Sequence, residues 1–256
     1  MDYPQAMLLA VVQGVTEWLP VSSSGHLAAA QMLMGLEVPV AYDVVLHLGT
    51  LMAVLVFLRK ELCEMAASVV RREFRGVSFR LLALVALGSI PAGVIGLLFK
   101  KPLESLFTNL PAVTAAFALT GVILLSSRRH DRPRELDARV ALAVGAMQAA
   151  AIIPGVSRSG STISAALILG LSPENAAKYS FLLSIPAILG AGLLEAGSLM
   201  SSGLPAVMIL SGFAVSAAVG WASINVLWRV IAAGRLHMFA YYCFALAITL
   251  AALQLL

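Results

Sequence analysis

The sequence predicts an all-α integral membrane protein with an inverted-topology repeat, in which each half is a re-entrant helix hairpin plus three transmembrane helices. Three observations predict this fold. Hydrophobic residues make up 60% of the chain and charged residues 12%, whereas about a quarter of the residues in a soluble domain are charged. Two polar turns, at residues 20–25 and 154–160, interrupt the apolar sequence. Each turn lies between two short apolar segments, which indicates a duplicated plan.

The composition also excludes several classes of protein. The mean hydropathy is +0.94 and the isoelectric point is about 9.3, but the basic residues cluster in short loops, as the positive-inside bias of membrane proteins requires. We therefore expect no nucleic-acid partner. Cys63 and Cys243 show no CxxC spacing, which excludes a zinc site or a disulfide framework as an organising device. The first basic residue is Arg59, so no cleavable signal peptide is expected.

In the first half, two short apolar segments flank the first polar turn. They cover residues 5–19 and 26–36, and neither reaches the roughly twenty apolar residues that a helical crossing needs. Two such helices joined by a polar turn predict a re-entrant hairpin whose turn is buried in protein or lines a wet cavity. After the hairpin we predict three crossings, at 40–58, 81–99 and 110–127. A polar stretch at 59–80 follows the first of them.

The second half repeats this order after a basic linker at 128–137, whose most basic part is 128–134. Short segments flank the second polar turn, and three crossings follow, the last two separated by a linker that holds Arg229 and Arg235. The predicted segments are 138–153, 159–171, 176–197, 204–222 and 237–256. We therefore divide the single membrane domain, 1–256, into repeat 1 at about 1–127 and repeat 2 at about 138–256.

Polar positions of the two halves correspond as well as apolar ones. Ser157 follows Ser22 by 135 positions, and Gly170 follows Gly35 by the same number. Because each half has an odd number of crossings, the second half is predicted to enter the membrane from the opposite side. The positive-inside bias then places the basic stretches 59–80 and 128–139 in the cytoplasm and both termini outside.

Few ionisable residues lie away from the predicted loops. Glu17 and His26 flank the first polar turn, and Arg158 lies in the second. Charges at membrane depth are costly, so a functional role is the default interpretation, with a structural buried ion pair as the alternative for Glu17 and Arg158. For Asp43 and His47, which belong to neither turn, we favour a structural role.

The spacing of these residues predicts a chemistry. Gln13 and Glu17 lie four positions apart on a helix, so they share a face and could present two oxygens to a hard cation. Each polar turn precedes a short helix whose free N–H groups attract phosphate. Arg158 adds a planar guanidinium that can bind phosphate oxygens in a bidentate manner. Together these features predict a site for a diphosphate.

At these residues the sequence resembles the bacterial undecaprenyl-diphosphate phosphatases of the bacitracin-resistance type, over essentially the whole chain. The pattern (E/Q)xxxE occurs at 13–17 and precedes LPVSSSGH at 19–26, and PGxSRSxxT occurs at 154–162. The resemblance implies a multi-pass enzyme of the bacterial inner membrane. Its implied reaction is hydrolysis of undecaprenyl diphosphate to the monophosphate and phosphate, which recycles the lipid carrier for cell-wall synthesis and gives resistance to bacitracin.

The resemblance also assigns roles to residues. Gln13 and Glu17 would bind a divalent cation, Mg²⁺ or Ca²⁺, Glu17 being a metal ligand or a general base. Ser23 and His26 are the implied nucleophile and proton-transfer residue, and Arg158 the diphosphate clamp. The residues implied to line the phosphate are Ser22, Ser157, Arg158, Ser159 and Thr162. Two departures from many relatives are Gln13 in place of Glu, and Cys243 after Tyr242 in place of Arg.

Three alternatives stay open at this level. Ser23 could attack the terminal phosphorus, with Glu17 or His26 accepting its proton, or a water activated by Glu17 could attack directly. The rival function class is a transporter or lipid flippase, or an enzyme that also moves lipid, because inverted repeats with broken helices are a transport architecture. Small residues at 190–192 would permit close helix contacts, including those of a homo-oligomer.

Overall fold

A computed structural model describes residues 1–127, 134–195, 197 and 203–255. All regular structure in these ranges is helical, which confirms the predicted all-α membrane fold. The helices of the first half are α1 (Tyr3–Thr16), α2 (Ser23–Leu33), α3 (Val40–Phe57), α4 (Arg59–Val70), α5 (Val77–Leu98), α6 (Lys100–Ser105), a 3₁₀ turn (Leu106–Thr108) and α7 (Leu110–Ser126). Those of the second half are α8 (Ala138–Ala150), α9 (Arg158–Ile168), α10 (Pro173–Leu194), α11 (Ala206–Ala232) and α12 (Met238–Leu253).

Local sequence signals explain where several of these helices begin. Asp2 caps α1 in a reciprocal capping box with Gln5, which satisfies two backbone donors at once. Asp137 accepts from the amide of Val140 at the start of α8, and Ser157 accepts from the amide of Gly160 at the start of α9. Because the first N–H groups of a helix have no partner within it, these caps fix the starting residue.

The length of the helices supports a multi-pass membrane protein. Among the residues that the structure describes, α3, α5, α10 and α11 are long and apolar enough to cross a bilayer. A fifth span results if the segment 100–108 is counted together with α7, from which it is bent by 98°. The helix α12 has 16 residues, so the six crossings of the sequence analysis stay a prediction. The predicted basic segment 128–134 lies outside the described residues except for Arg134.

Two parts of the chain differ from the prediction. The stretch 59–80 contains the helix α4, which we did not predict because its charges mask its apolar positions. The crossing predicted to end at 222 continues as α11 to Ala232, so placing Arg229 in a linker was wrong. Its cationic side chain stands in the last helical turn, where it is favoured by the helix dipole. At about 1.5 Å per residue α11 is roughly 40 Å long, which exceeds the hydrocarbon thickness.

The two short-helix hairpins pack against long helices from the opposite half. The helices α1 and α2 contact each other, as α8 and α9 do, while α1 packs on α11 and α8 packs on α5. Tyr42 in α3 donates to the carbonyl of Ala6, and Tyr179 in α10 donates to that of Leu84. Each tyrosine thus lies in the helix that follows a hairpin and bonds that helix to another one, α3 to α1 and α10 to α5. The predicted inverted repeat is consistent with this arrangement and stays a prediction.

Charged side chains link the helices at two separate places. Lys178 at the start of α10 pairs with Glu61 in α4 at 2.8 Å. Lys100 in α6 pairs with Glu195, just after the end of α10, at 2.7 Å. The predicted topology assigns Lys178 to the cytoplasm and Lys100 to the outer side, and these pairs lie at opposite ends of the same helix.

The two polar turns meet inside the protein. The amide of Gly155 donates to the Ser22 hydroxyl at 3.2 Å, and the Ser159 hydroxyl donates to the carbonyl of Leu19 at 3.1 Å. Thr120 in α7 supports the second turn by donating to the carbonyl of Gly155 at 2.8 Å. The backbone of Gly155 has a φ of 95°, which favours glycine. Polar backbone groups of both turns are thereby satisfied away from water.

We predict that Gly155→Ala strongly destabilises the protein. A Cβ at this position would lie 2.5 Å from the carbonyl oxygen of Val113 and 2.7 Å from the Cβ of Ala116, so overpacking adds about 1–3 kcal/mol to the cost of a left-handed backbone. The matched control is Gly234→Ala, which has a φ of 68° but no atom within 4 Å. Thermal unfolding in detergent should give a much larger loss of melting temperature for Gly155→Ala. Equal losses would mean that crowding between the turns is unimportant.

Candidate active site

A cavity of about 790 Å³ opens between the two hairpins and the helices around them. Its wall is mostly apolar and includes Leu27, Met32, Val44, Ile152 and Ile188. Polar side chains from both polar turns form one end of it. The cavity therefore combines a large apolar space with a compact polar end, as a ligand with a hydrocarbon chain and a polar head would require.

Glu17 lies at the centre of the polar end. It follows the last turn of α1, where its backbone amide still donates to the carbonyl of Gln13, and it is 7% exposed. Its Oε1 accepts from Arg158. Its Oε2 accepts from the Ser23 hydroxyl at 2.5 Å and from Gln13 Nε2 at 2.9 Å. Three side-chain donors thus converge on this buried carboxylate.

Arg158 reaches Glu17 from the other hairpin. It is the first residue of α9, and it forms an ion pair with Glu17 through NH2. The guanidinium carbon lies over the Trp18 ring, 5.2 Å from its centroid, which is within cation–π range. Its buried NH1 has no hydrogen-bond partner among the described residues. Of the three guanidinium nitrogens, NH2 is therefore committed to Glu17, and NH1 is a buried donor with no partner in the described structure.

Ser23 is placed to react by an unusual turn of the backbone. The preceding residue, Ser22, caps α2 and has a φ of 66°, a conformation that costs a residue other than glycine about 1–2 kcal/mol. This turn directs the Ser23 hydroxyl to Glu17, to which it donates its hydrogen. A hydroxyl that donates to a carboxylate in a cavity is an arrangement typical of an activated nucleophile.

The structure brings together five of the residues singled out from the sequence. Those that line the cavity are Glu17, Ser22, Ser23, Ser157 and Arg158. The residues Ser22–Ser24 and Ser157–Arg158 are also the starts of α2 and α9, so two helix N-termini face the polar end from opposite hairpins. This geometry attracts an anion.

Three other predicted residues lie behind the cavity. Gln13 is 0% exposed and contacts Glu17. The Ser159 hydroxyl donates to the carbonyl of Leu19. The hydroxyl of Thr162 contacts the Ser180 hydroxyl at 2.6 Å and the carbonyl of Arg158 at 2.7 Å. Ser159 and Thr162 thus hold the second turn and α9 in place and do not contact the space a phosphate would fill.

His26 is turned away from the polar end of the cavity. Its Nδ1 lies 2.7 Å from the carbonyl oxygen of Ser22 and its Nε2 lies 2.8 Å from the hydroxyl of Tyr242. The ring stacks on that of Tyr242. Next to it, Cys243 is buried against the carbonyl of Pro20. The structure therefore ties His26 to α12 and does not bring it to Ser23.

His47, for which we favoured a structural role from the sequence, is the histidine that the structure places at the polar end. It lines the cavity, and its Nε2 lies 3.6 Å from Glu17 Oε2. Asp43, one turn earlier in α3, also lines the cavity and accepts from Gln31 at 3.0 Å. The spacing of four put both on one helix face, but nothing in the sequence indicated which face meets α1.

The residues at the polar end fit a divalent cation that is shared with a ligand. Gln13 Oε1 is buried and has no partner among the described residues, and Nε2 of the same amide donates to Glu17 Oε2. No group of three or more acidic, histidine or cysteine side chains in the described ranges could enclose a metal ion. Mg²⁺ is often bound by one or two carboxylates plus phosphate oxygens, so this donor set suits a cation completed by a diphosphate.

Comparison with known proteins shows which family the chain resembles. Residues 6–249 match the model of the family described as bacitracin resistance protein BacA. A protein of Rubrobacter xylanophilus named undecaprenyl-diphosphatase is 43% identical over 267 residues, covering 98% of each chain. A protein of the same name from Desulfosudis oleivorans is 41% identical, and the match covers 96% of both chains. Another from Methanosphaera stadtmanae is 38% identical, and the match covers 95% of both chains.

We predict that the charges of Glu17 and Arg158 depend on each other for stability. Arg158→Met leaves the buried Glu17 carboxylate uncompensated, and breaking a buried pair in this way costs about 3–5 kcal/mol. The double variant Glu17→Gln with Arg158→Met should recover most of the loss. Melting temperatures of the detergent-solubilised variants measure both effects, with Arg229→Met, at an exposed arginine, as the control. A double variant no more stable than Arg158→Met would contradict this coupling.

Proposed function

The chain belongs to the bacitracin resistance protein BacA family, and from this premise we propose that it is an undecaprenyl-diphosphatase. It hydrolyses undecaprenyl diphosphate to undecaprenyl phosphate and inorganic phosphate. In a bacterium this reaction returns the lipid carrier to cell-wall synthesis and gives resistance to bacitracin. The curated relatives that carry this name match over 95% or more of the chain in the three cases above.

One observation carries the proposal: Glu17 contacts both Ser23 and Arg158 at the polar end of an apolar cavity. Ser23 Oγ is 2.5 Å from Glu17 Oε2, and Arg158 pairs with the other oxygen. A nucleophile, its proton acceptor and an anion clamp thus converge on one point. The apolar wall accepts isoprene units of the lipid, and the two helix N-termini face its diphosphate.

In the proposed mechanism Ser23 attacks the terminal phosphorus. Its proton passes to Glu17 Oε2, the bond from Ser23 Oγ to phosphorus forms, and the bond from phosphorus to the bridging oxygen breaks. Arg158, which lines the cavity and whose NH2 is held by Glu17, stabilises charge on the phosphoryl oxygens. Such positioning and electrostatic stabilisation supply most of the catalysis in phosphoryl transfer. Water then hydrolyses the phosphoserine.

A divalent cation, Mg²⁺ or Ca²⁺, is part of the proposal. Glu17 and the Oε1 of Gln13 are the atoms that would hold it, together with oxygens of the diphosphate. When bound, it would neutralise negative charge on those oxygens. Gln13 also donates to Glu17, so it orients the carboxylate that faces the substrate.

The cellular setting is a further part of the proposal. The chain is a multi-pass membrane protein, and we place it in the plasma membrane, which is the inner membrane in bacteria with two membranes. A site that opens to the outer face would meet the diphosphate where it is released. For self-association, Gly190 has open space beside it whereas Gly192 faces Leu48 of the same chain, so only part of the small-residue segment is free for a second copy.

We expect purified protein to release phosphate from undecaprenyl diphosphate in detergent with Mg²⁺, and Arg158→Ala to lower the rate by about 10²–10³-fold, the size of effect seen when one stabilising donor is removed from an active site. Ser23→Ala, which removes the nucleophile, should lower the rate further. Ser211→Ala is the matched control, because that hydroxyl lies in α11 and bonds its own helix. Trapping of ³²P on Ser23 should distinguish attack by serine from direct attack by water.

Two results would contradict these assignments separately. Full turnover by Ser23→Ala would exclude Ser23 as the nucleophile but leave the phosphatase function intact. Lipid or ion movement across liposomes, without phosphate release by the wild-type protein under any cation condition, would favour the transporter alternative.

The cation assignment predicts that Gln13→Leu raises the Mg²⁺ concentration needed for half-maximal activity by roughly 10-fold or more, the range seen when metal-supporting residues are removed. Chelation should abolish activity, and added Mg²⁺ should restore it. The matched control is Gln148→Leu, at the glutamine 135 positions later, which is 2% exposed and outside the cavity. An unchanged Mg²⁺ dependence in Gln13→Leu would exclude Gln13 as a ligand.

A further inference from the structure

His26 holds the backbone turn that precedes Ser23. Ser22 has a φ of 66°, a strained conformation for a residue other than glycine, which persists only where the surrounding contacts impose it. Its carbonyl oxygen accepts from the backbone amide of His26 at 3.1 Å and lies 2.7 Å from Nδ1 of the same residue. A carbonyl oxygen only accepts, so Nδ1 donates whether the ring is neutral or charged. One histidine thus satisfies both lone pairs of this carbonyl.

Holding this carbonyl fixes the direction in which the chain enters Ser23. The carbonyl of Ser22 and the nitrogen and Cα of Ser23 belong to one planar peptide group. A rotation of that plane would therefore move the Ser23 side chain relative to Glu17 Oε2, to which its hydroxyl donates at 2.5 Å. The His26 ring is accordingly linked to the nucleophile through a single rigid group.

Tyr242 holds the His26 ring from the other side. It lies in α12, outside both sequence motifs, and its hydroxyl is 2.8 Å from His26 Nε2. The two rings are nearly parallel, with an interplanar angle of 8°, and the ring of Phe117 packs against the imidazole at an angle of 89°. Because both nitrogens are bonded and two aromatic rings adjoin it, the imidazole cannot rotate without losing these contacts.

We propose that Tyr242 is a positioning residue for Ser23, acting through the His26 ring and the Ser22 carbonyl. This inference rests on the proposed function and on attack by Ser23. The Tyr242 hydroxyl supports the ring, and the ring supports the carbonyl. The carbonyl in turn sets the angle at which Ser23 meets Glu17. Neither Tyr242 nor His26 lines the cavity, and His26 transfers no proton in this role.

Three substitutions separate positioning from proton transfer. Tyr242→Phe removes one hydroxyl and keeps the ring that adjoins His26. His26→Asn keeps a nitrogen at the position of Nδ1, so the bond to the Ser22 carbonyl survives while the bond to Tyr242 is lost. His26→Leu loses both bonds. The control is Tyr241→Phe, the same change at the neighbouring tyrosine of α12, whose side chain is exposed.

A single-turnover rapid-quench assay, with undecaprenyl diphosphate labelled with ³²P at the terminal phosphate, follows substrate cleavage and label on Ser23. We expect Tyr242→Phe and His26→Asn to slow cleavage by roughly 10-fold and His26→Leu by roughly 10²-fold, since a misplacement of about 1 Å can cost that much. The substrate concentration for half-saturation should stay unchanged, because neither residue lines the cavity, and the pH profile should keep its shape. Adding Tyr242→Phe to His26→Asn should cause no further loss, because the link is already broken.

Undiminished cleavage by Tyr242→Phe would overturn the proposal, and so would an equal further loss when Tyr242→Phe is added to His26→Asn. A His26→Asn protein as slow as His26→Leu would overturn it too, because the intact bond to the Ser22 carbonyl would then not preserve catalysis. A changed pH profile would identify proton transfer instead. Tyr242→Phe removes a single oxygen, so it tests the proposal even if the His26 variants do not fold. Failure of the wild-type protein to release phosphate would refute the proposed function itself.

Discussion

The buried ion pair between Glu17 and Arg158 is the interaction on which the rest of the structure depends. Each hairpin carries one of the two charges, and a single charge at membrane depth is costly. Neither hairpin can therefore bury its polar turn without the other. A buried pair seldom repays its own desolvation, so its presence indicates a use beyond stability. That use is a polar site inside an apolar protein, assembled only when the two halves meet.

The ion pair also explains how the site could bind an anion while Glu17 stays available as the base. Glu17 uses Oε1 for Arg158 and Oε2 for Ser23, while Arg158 NH1 has no partner in the described structure. Arg158 therefore keeps unused donor capacity while its NH2 stays on Glu17. The Trp18 ring beside the guanidinium restrains this orientation, since an arginine held by an ion pair and a cation–π contact has little freedom. Two helix N-termini then supply further positive potential from opposite sides.

Local patterns predicted most helices because hydrophobic length and turn residues are local properties. The hairpins, the crossings at 40–58 and 110–127 and the polar turns appear within about three residues of the predicted bounds, as is usual for helix ends. Two errors share a cause. Charged residues in α4 and near the end of α11 suggested loops. Such residues stay helical at a membrane surface when their apolar stems pack along the protein, or when a cation is favoured by the dipole at the end of the helix.

The sequence by itself determined that this is a helical membrane protein with two polar turns, a carboxylate and an arginine that need a partner, and the motifs of one family. The tertiary structure decided which side chains share the cavity. His26, Ser159 and Thr162 belong to the motifs but bond to other parts of the protein and do not line the cavity, whereas His47 belongs to neither turn and faces Glu17. Spacing along a helix fixes which residues share a face, but only packing against another helix decides where that face points.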